Sequence, residues 1–235
     1  MVDAAIITAL GFGFLLGLRH ALDADHLVTV TTVISRRGSF LEAVKVGLVW
    51  GMGHTFTLFA AGIAVLVFKL TIPDRLALSM EMVVGGLMVF LGIPLLRKLL
   101  MRRAHFHLHE HGEKTHLHSH SHDETEEHDH RHIRRPLLIG MAHGLAGSGA
   151  LIPLVMGTMS SVNQGLLFLL LFGVGSMLGM LIFSGLISFP FRLAGRVSGR
   201  VSLWMQGIAG ATSISFGLYI IWQAVFAEGL LLSSL

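Results

Sequence analysis

No cysteine occurs in the 235 residues, which removes disulfides and thiolate metal ligands together and leaves soft-metal chemistry without its usual donor. Charge is scarce too: 13% of residues are Asp, Glu, Lys or Arg, 53% are hydrophobic, and the mean hydropathy is +0.72. A soluble domain could not bury that much apolar surface, so the composition implies a bilayer protein. The Gly-x4-Gly-Lys-[Ser/Thr] phosphate loop is absent, and any coupling to ATP would need another subunit. The start of the chain has Asp3, no basic run and no cleavage site after the first apolar segment, which predicts a retained span and not a removed signal peptide. The sequence pI near 9.8 comes from cations at the ends of apolar segments, so it orients the protein in a membrane and is no nucleic-acid footprint. The twelve methionines are scattered through apolar stretches, as gap-filling residues in packed helices are.

What the chain has instead is histidine, in two populations. Eleven of the fifteen lie between His105 and His132, while His20, His26, His54 and His143 sit singly inside long apolar segments that also hold Asp23 and Asp25. Ionisable groups inside a span are costly, and their default reading is a substrate or ion site. Neutral imidazole and carboxylate form the ligand set expected for nickel, cobalt or zinc.

Six apolar stretches approach or exceed the ~20 residues needed to cross a hydrocarbon core, at about 4–35, 43–68, 77–100, 136–158, 165–190 and 203–226. The predicted fold is an all-α polytopic membrane helical bundle whose first helix is broken. Its domains are a first transmembrane repeat at 1–100, a His-rich loop at 101–135 predicted to lack regular structure, and a second transmembrane repeat at 136–235. With the N-terminus outside, fourteen Lys and Arg fall on the cytoplasmic side and only Lys69 and Arg75 on the other, with Arg19 left inside the membrane. That bias predicts both termini outside and the His-rich loop in the cytoplasm, for a protein of the plasma (inner) membrane.

The halves repeat. Gly17-Leu18-Arg19-His20-Ala21-Leu22-Asp23-Ala24 aligns with Gly140-Met141-Ala142-His143-Gly144-Leu145-Ala146-Gly147 at an offset of 123, and Trp50-Gly51-Met52-Gly53-His54-Thr55 with Phe172-Gly173-Val174-Gly175-Ser176-Met177 at an offset of 122. Gly85 and Gly92 correspond to Gly210 and Gly217 at an offset of 125. Three spans per half would make the second copy cross in the opposite sense, a 3+3 inverted repeat with its substrate site near the midplane. That zone would collect His20, Asp25, His26, His54 and His143.

On a straight helix, at ~100° per residue, His20, Asp25 and His26 would point in three directions. A break near Leu22 to Ala24 would let them meet around a divalent cation. Asp23 would then be a further ligand, or a group holding a histidine tautomer. Arg19 could instead neutralise Asp23 or Asp25. His143 opens a glycine-rich run through Gly149, where unwinding or very close packing is expected, and is read as a ligand or pathway residue.

The run Leu16 to Leu27, read as LGLRHALDADHL, resembles the RHAxDADH signature of the nickel/cobalt transporter family, and Gly51-Met52-Gly53-His54-Thr55 is similar to that family's second, GHS-type motif. The resemblance implies that His20, Asp25, His26 and His54 take part in recognising Ni²⁺ or Co²⁺. Two departures stand out: six spans where that family usually has eight, and His143-Gly144-Leu145-Ala146-Gly147-Ser148-Gly149 in place of its LGxDTATE-type motif. The substitute resembles the smaller, urease-accessory-type relatives of the same superfamily. Its efflux branch shares a long His-rich loop but has an EPGH-like sequence where this chain reads Asp23-Ala24-Asp25-His26, which favours uptake over export.

The implied function is secondary transport with Ni²⁺ or Co²⁺ as the transported substrate, no cofactor and no catalytic residue. The implied partners are the ion, membrane lipid and a cytoplasmic metallochaperone or nickel-enzyme maturation protein, with no nucleic acid. Alternation of histidine along His105 to His111 and His116 to His122 makes the loop a flexible chelator, to which Glu124, Glu126, Glu127 and Asp129 add anionic ligands. Three other classes fit parts of the pattern: a membrane serine hydrolase using Ser148, a metal-dependent membrane hydrolase using the His/Asp set, and a metal sensor or store that does not transport.

Overall fold

Lipid offers no hydrogen bonds to a bare peptide group, so apolar segments of this length satisfy their backbone internally as helices. The computed structural model of the chain describes residues 4–37, 39–101, 107–111, 114–118 and 131–227. Seven α-helices run in chain order: α1 (Ala4–His20), α2 (Ala24–Ile34), α3 (Phe40–Leu66), α4 (Asp74–Leu100), α5 (Arg131–Thr158), α6 (Val162–Val197) and α7 (Gly199–Trp222). A π-turn at Gln223–Ala227 ends the described chain.

The bundle is apolar on both sides. Trp50, Ile34, Leu58, Met88, Leu95, Leu169 and Val155 are fully buried, while Phe12, Phe56, Phe90, Leu186 and Ile208 are more than half exposed. In water such a surface would drive association, whereas in a bilayer it faces chains as apolar as itself. The protein is an integral membrane protein. Four helices, α3, α4, α6 and α7, are long and apolar enough to cross a membrane alone, and α5 makes a fifth if its two segments, bent by 47°, form one span. The sequence predicts a sixth over 4–35. There the chain divides into α1 and α2, of 17 and 11 residues, each shorter than a full span.

Glycine sets how closely the helices approach. A Cβ on Gly17 would strike the carbonyl of Phe172, and one on Gly140 would strike the carbonyl of Trp50. Under the offsets of 123 and 122 these are one contact made twice with the roles exchanged. The α4–α7 seam does the same: Gly85 faces the Gly217 carbonyl and Gly92 the Gly210 carbonyl, each approach being returned by its partner. Between the two pairs the Ser213 hydroxyl donates to the Met88 carbonyl at 2.8 Å.

The His-rich loop differs from expectation where it is described. His107–His111 (β1) and Lys114–His118 (β2) pair antiparallel, with His107 opposite His118 and His109 opposite His116. The alternation that suggested an extended chelator also suits a strand, whose residues repeat every two positions. The loop's His105, His120, His122, His128 and His130, and its acidic residues Glu124, Glu126, Glu127 and Asp129, lie outside the described residues.

Candidate metal centre

The site begins at the break between α1 and α2. Leu22 N donates to Arg19 O at 2.8 Å and Asp23 N to His20 O at 3.0 Å, so the end of α1 tightens and turns before α2 starts at Ala24. Asp23 occupies the N-cap of α2 with extended backbone (φ −61°, ψ 146°) but makes no side-chain cap. Its carboxylate instead accepts from His20 Nδ1 at 2.8 Å. The neighbouring carboxylate of Asp25 accepts from His26 Nδ1 at 3.0 Å. Both anions lie at the start of α2, where the helix dipole favours negative charge. Arg19 is exposed, and among the described residues it forms no ion pair with either aspartate.

The turn brings the imidazoles of His20 and His26 to 4.6 Å between ring centroids. α3 supplies the third ring: His54 is 5.2 Å from His20 and 5.2 Å from His26. His54 is fully buried and His26 is 2% exposed. One nitrogen from each of the three lies within 4.8 Å of the others. A tetrahedral ion with bonds of 2.0–2.1 Å needs about 3.4 Å between ligand nitrogens, a contraction that side-chain rotation can supply.

His26 Nε2 and both ring nitrogens of His54 are buried with no hydrogen-bond partner. Leaving a buried polar atom unpaired costs about 1–3 kcal/mol, and a divalent cation bound through one nitrogen of each ring would partner His26 Nε2 and one of the two His54 nitrogens. The carboxylates behind His20 and His26 hold each Nδ1 protonated, leaving Nε2 with its lone pair free. Such carboxylate–histidine pairs fix the tautomer and raise the basicity of the free nitrogen, as behind a metal-ligating histidine.

Of the six residues singled out in the sequence, His20, His26 and His54 converge, and Asp23 and Asp25 stand behind two of them. His143, on α5, joins at the edge. Its ring is 5.2 Å from His26, Nδ1 donates to the Ile139 carbonyl at 2.9 Å, and the Thr29 hydroxyl lies 3.5 Å from Nε2. Both of its nitrogens are therefore engaged within the protein.

Trp50 and Thr29 belong to this environment and went unnoticed in the sequence. Trp50 stacks on His26 (5.9 Å, 9°) and meets His143 edge-on at 5.3 Å. Phe172, its equivalent in the second half, lies 5.2 Å from His20, as His143 lies against Trp50. The signal was helical spacing: Trp50 stands four residues before His54, and Thr29 three after His26, each on its histidine's face.

A family model described as the cytochrome C biogenesis protein transmembrane region matches residues 55–219. The motif resemblance points to nickel/cobalt transporters, whereas the model that matches is this other one. It begins one residue after His54, so it takes in His143 and none of the three converging histidines. The urease accessory protein UreH of Bacillus sp. (strain TB-90) is 34% identical over 230 residues, covering 98% of this chain and 97% of that protein. No solved structure matches the chain.

Proposed function

Given that the chain belongs to the family of the urease accessory protein UreH, and to that of the cytochrome c biogenesis transmembrane region, we propose that it transports nickel, with cobalt as the alternative substrate, across the plasma membrane. The observation that carries the reading is the trio of half-buried His20 with buried His26 and His54, with unpartnered nitrogens on His26 and His54 and a carboxylate behind His20 and His26. A urease accessory protein is also the kind of relative that nickel supply to an enzyme would explain.

The ion is bound without its full water shell, through neutral imidazole. Asp23 and Asp25 supply negative charge nearby without leaving an anion bare in the membrane. Alternating access would follow from rocking of two inverted halves, with α1 and α2 together forming the first of six spans. The reciprocal Gly17–Phe172 and Gly140–Trp50 approaches and the exchanged α4–α7 pairs support that symmetry, because a two-fold axis makes each contact twice. Uptake is the favoured direction, the His-rich loop lies in the cytoplasm, and protonation of the ligands aids release. The hydrolase reading has less support, since the Ser148 hydroxyl donates to the Leu145 carbonyl at 2.6 Å while His143 engages Ile139 and Thr29.

The test is ⁶³Ni²⁺ flux in oriented proteoliposomes. Wild type is expected to move the ion, His26→Ala to lose movement, and a chain lacking residues 105–132 to keep it. Tight binding without flux, abolished by the loop deletion, would replace the transporter with a sensor or store.

A further inference from the structure

A vestibule of about 640 Å³ opens at one end of the bundle, between the end of α3, the start of α4, the bent end of α5 and the start of α6. Its lining is largely apolar and includes Gly149 and Pro153, with Thr71, Ser160 and one charge of each sign, Lys69 and Asp74, among its polar groups. This is the end with short loops and few cations, opposite the basic loops. Six waters occupy about 180 Å³ in the liquid, so a hexahydrated divalent ion fits the vestibule whole.

The floor leads towards the histidines. Gly149 lines the vestibule, and two residues back, about 3 Å along the helix, Gly147 faces the metal centre. A Cβ placed there would sit 3.8 Å from His20 Nε2 and 4.0 Å from His54 Cε1. Just past Gly149, between the segments Ile133–Gly149 and Leu151–Thr158, α5 bends by 47°. Pro153 gives the cause: it has no N–H to offer the carbonyl four residues earlier, which belongs to Gly149, and its ring presses that carbonyl aside. In the histidine cluster that Gly147 faces, His26 Nε2 and the two His54 nitrogens are buried and unpartnered.

We propose that this vestibule is the doorway for the hydrated divalent cation and that Gly147–Gly149 is the neck through which the ion passes, shedding water, to the three histidines. The Gly149 carbonyl, deprived of its helical donor, offers the first oxygen ligand that replaces lost water. The inference rests on the transport reading and adds the route. A side chain at 147 would project towards His20 and His54, and one at 149 would press on Ala77 of α4, so growth at either position narrows the neck.

The absence of cysteine makes the test direct. Ser160→Cys and Thr71→Cys place single thiols on opposite walls, and Ser39→Cys places one at the far end of the bundle. Each purified variant is left untreated or reacted in detergent with a bulky thiosulfonate, then reconstituted, and its ⁶³Ni²⁺ flux is measured. Unmodified variants should transport like wild type. Modification at Ser160→Cys or Thr71→Cys should lower flux at least tenfold, with wild type and Ser39→Cys unchanged. Full flux through a modified vestibule would overturn the doorway and leave the transporter standing. Absence of flux in untreated wild type would overturn the transport reading, and the doorway with it. If one wall variant fails to fold, the other carries the same comparison.

Discussion

Each converging histidine has a distinct surrounding, and these set different costs for its loss. His54 has no hydrogen-bond partner on either nitrogen; if one of them holds the ion, as proposed, His54→Ala should lower Co²⁺ affinity by more than 100-fold. Asp25 acts through His26 Nδ1. Asp25→Asn keeps the shape while removing the charge that supports the imidazole, and a loss of about 10–100-fold in affinity is expected. His143 already has Ile139 and Thr29 as partners, so His143→Ala should cost less than about tenfold. Cobalt titration of the purified protein, followed by its visible absorption, ranks the three; equal losses at His143 and His54 would make His143 a full ligand. The histidines themselves were legible because an apolar run makes any ionisable residue conspicuous. The part played by each aspartate was not. Whether a carboxylate faces the ion or the back of an imidazole depends on side-chain rotation at the α1–α2 turn, which residue spacing leaves open. Trp50 and Thr29 escaped for the opposite reason, since an indole and a hydroxyl are unremarkable on a membrane helix.

At the level of elements, close helix approach is set by few positions. Gly92 and Gly210 face each other's backbone across the α4–α7 seam, whereas a Cβ on Gly86, also on α4, would meet nothing within 4 Å. Gly92→Leu and Gly86→Leu therefore add the same side chain to the same helix with different results. The first must separate two backbones and should destabilise by at least the 1–3 kcal/mol typical of overpacking. The second should be close to neutral. Thermal unfolding in detergent compares them, and equal midpoints would mean that the seam is looser than its geometry indicates. Removing only the seam hydroxyl, in Ser213→Ala, should cost about 0.6 kcal/mol, the average for hydrogen bonds between membrane helices. The starts of α3 to α7 were readable from hydropathy to within five residues, although α6 runs seven residues past its predicted end, and the break in the first segment was readable from Asp23 and Asp25 interrupting it. The bend in α5 was not legible, because the effect of Pro153 on the carbonyl of Gly149 is a matter of backbone geometry that composition does not display. The hairpin within the loop was hidden because period-two alternation suits an unstructured chelator as well as a strand.

For the whole molecule, the sidedness of charge and the exchanged contacts bear on one arrangement. Arg97 and Lys98 precede the loop at 101–135 and Arg134 and Arg135 close it, while the vestibule end holds Lys69 and Arg75; the proposed orientation, with the loop in the cytoplasm and the vestibule outside, rests on that positive-inside bias. Ser39 stands with the first group and Ser160 with the second. In right-side-out vesicles an impermeant maleimide should label Ser160→Cys within minutes and reach Ser39→Cys only after permeabilisation. The reverse pattern would invert the protein in the membrane and turn the doorway into an exit. Orientation also decides what the His-rich loop can do. In the proposed orientation a chelating loop downstream of the three histidines would lower free ion at the point of release and so favour net inward movement, yet it contributes none of the three converging nitrogens. Deleting 105–132 should therefore leave the initial flux within about twofold of wild type while reducing the amount of ion retained inside at long times. A deletion that stopped initial flux would make the loop part of the path, and an inward-facing site that depends on it would have to be sought among its histidines.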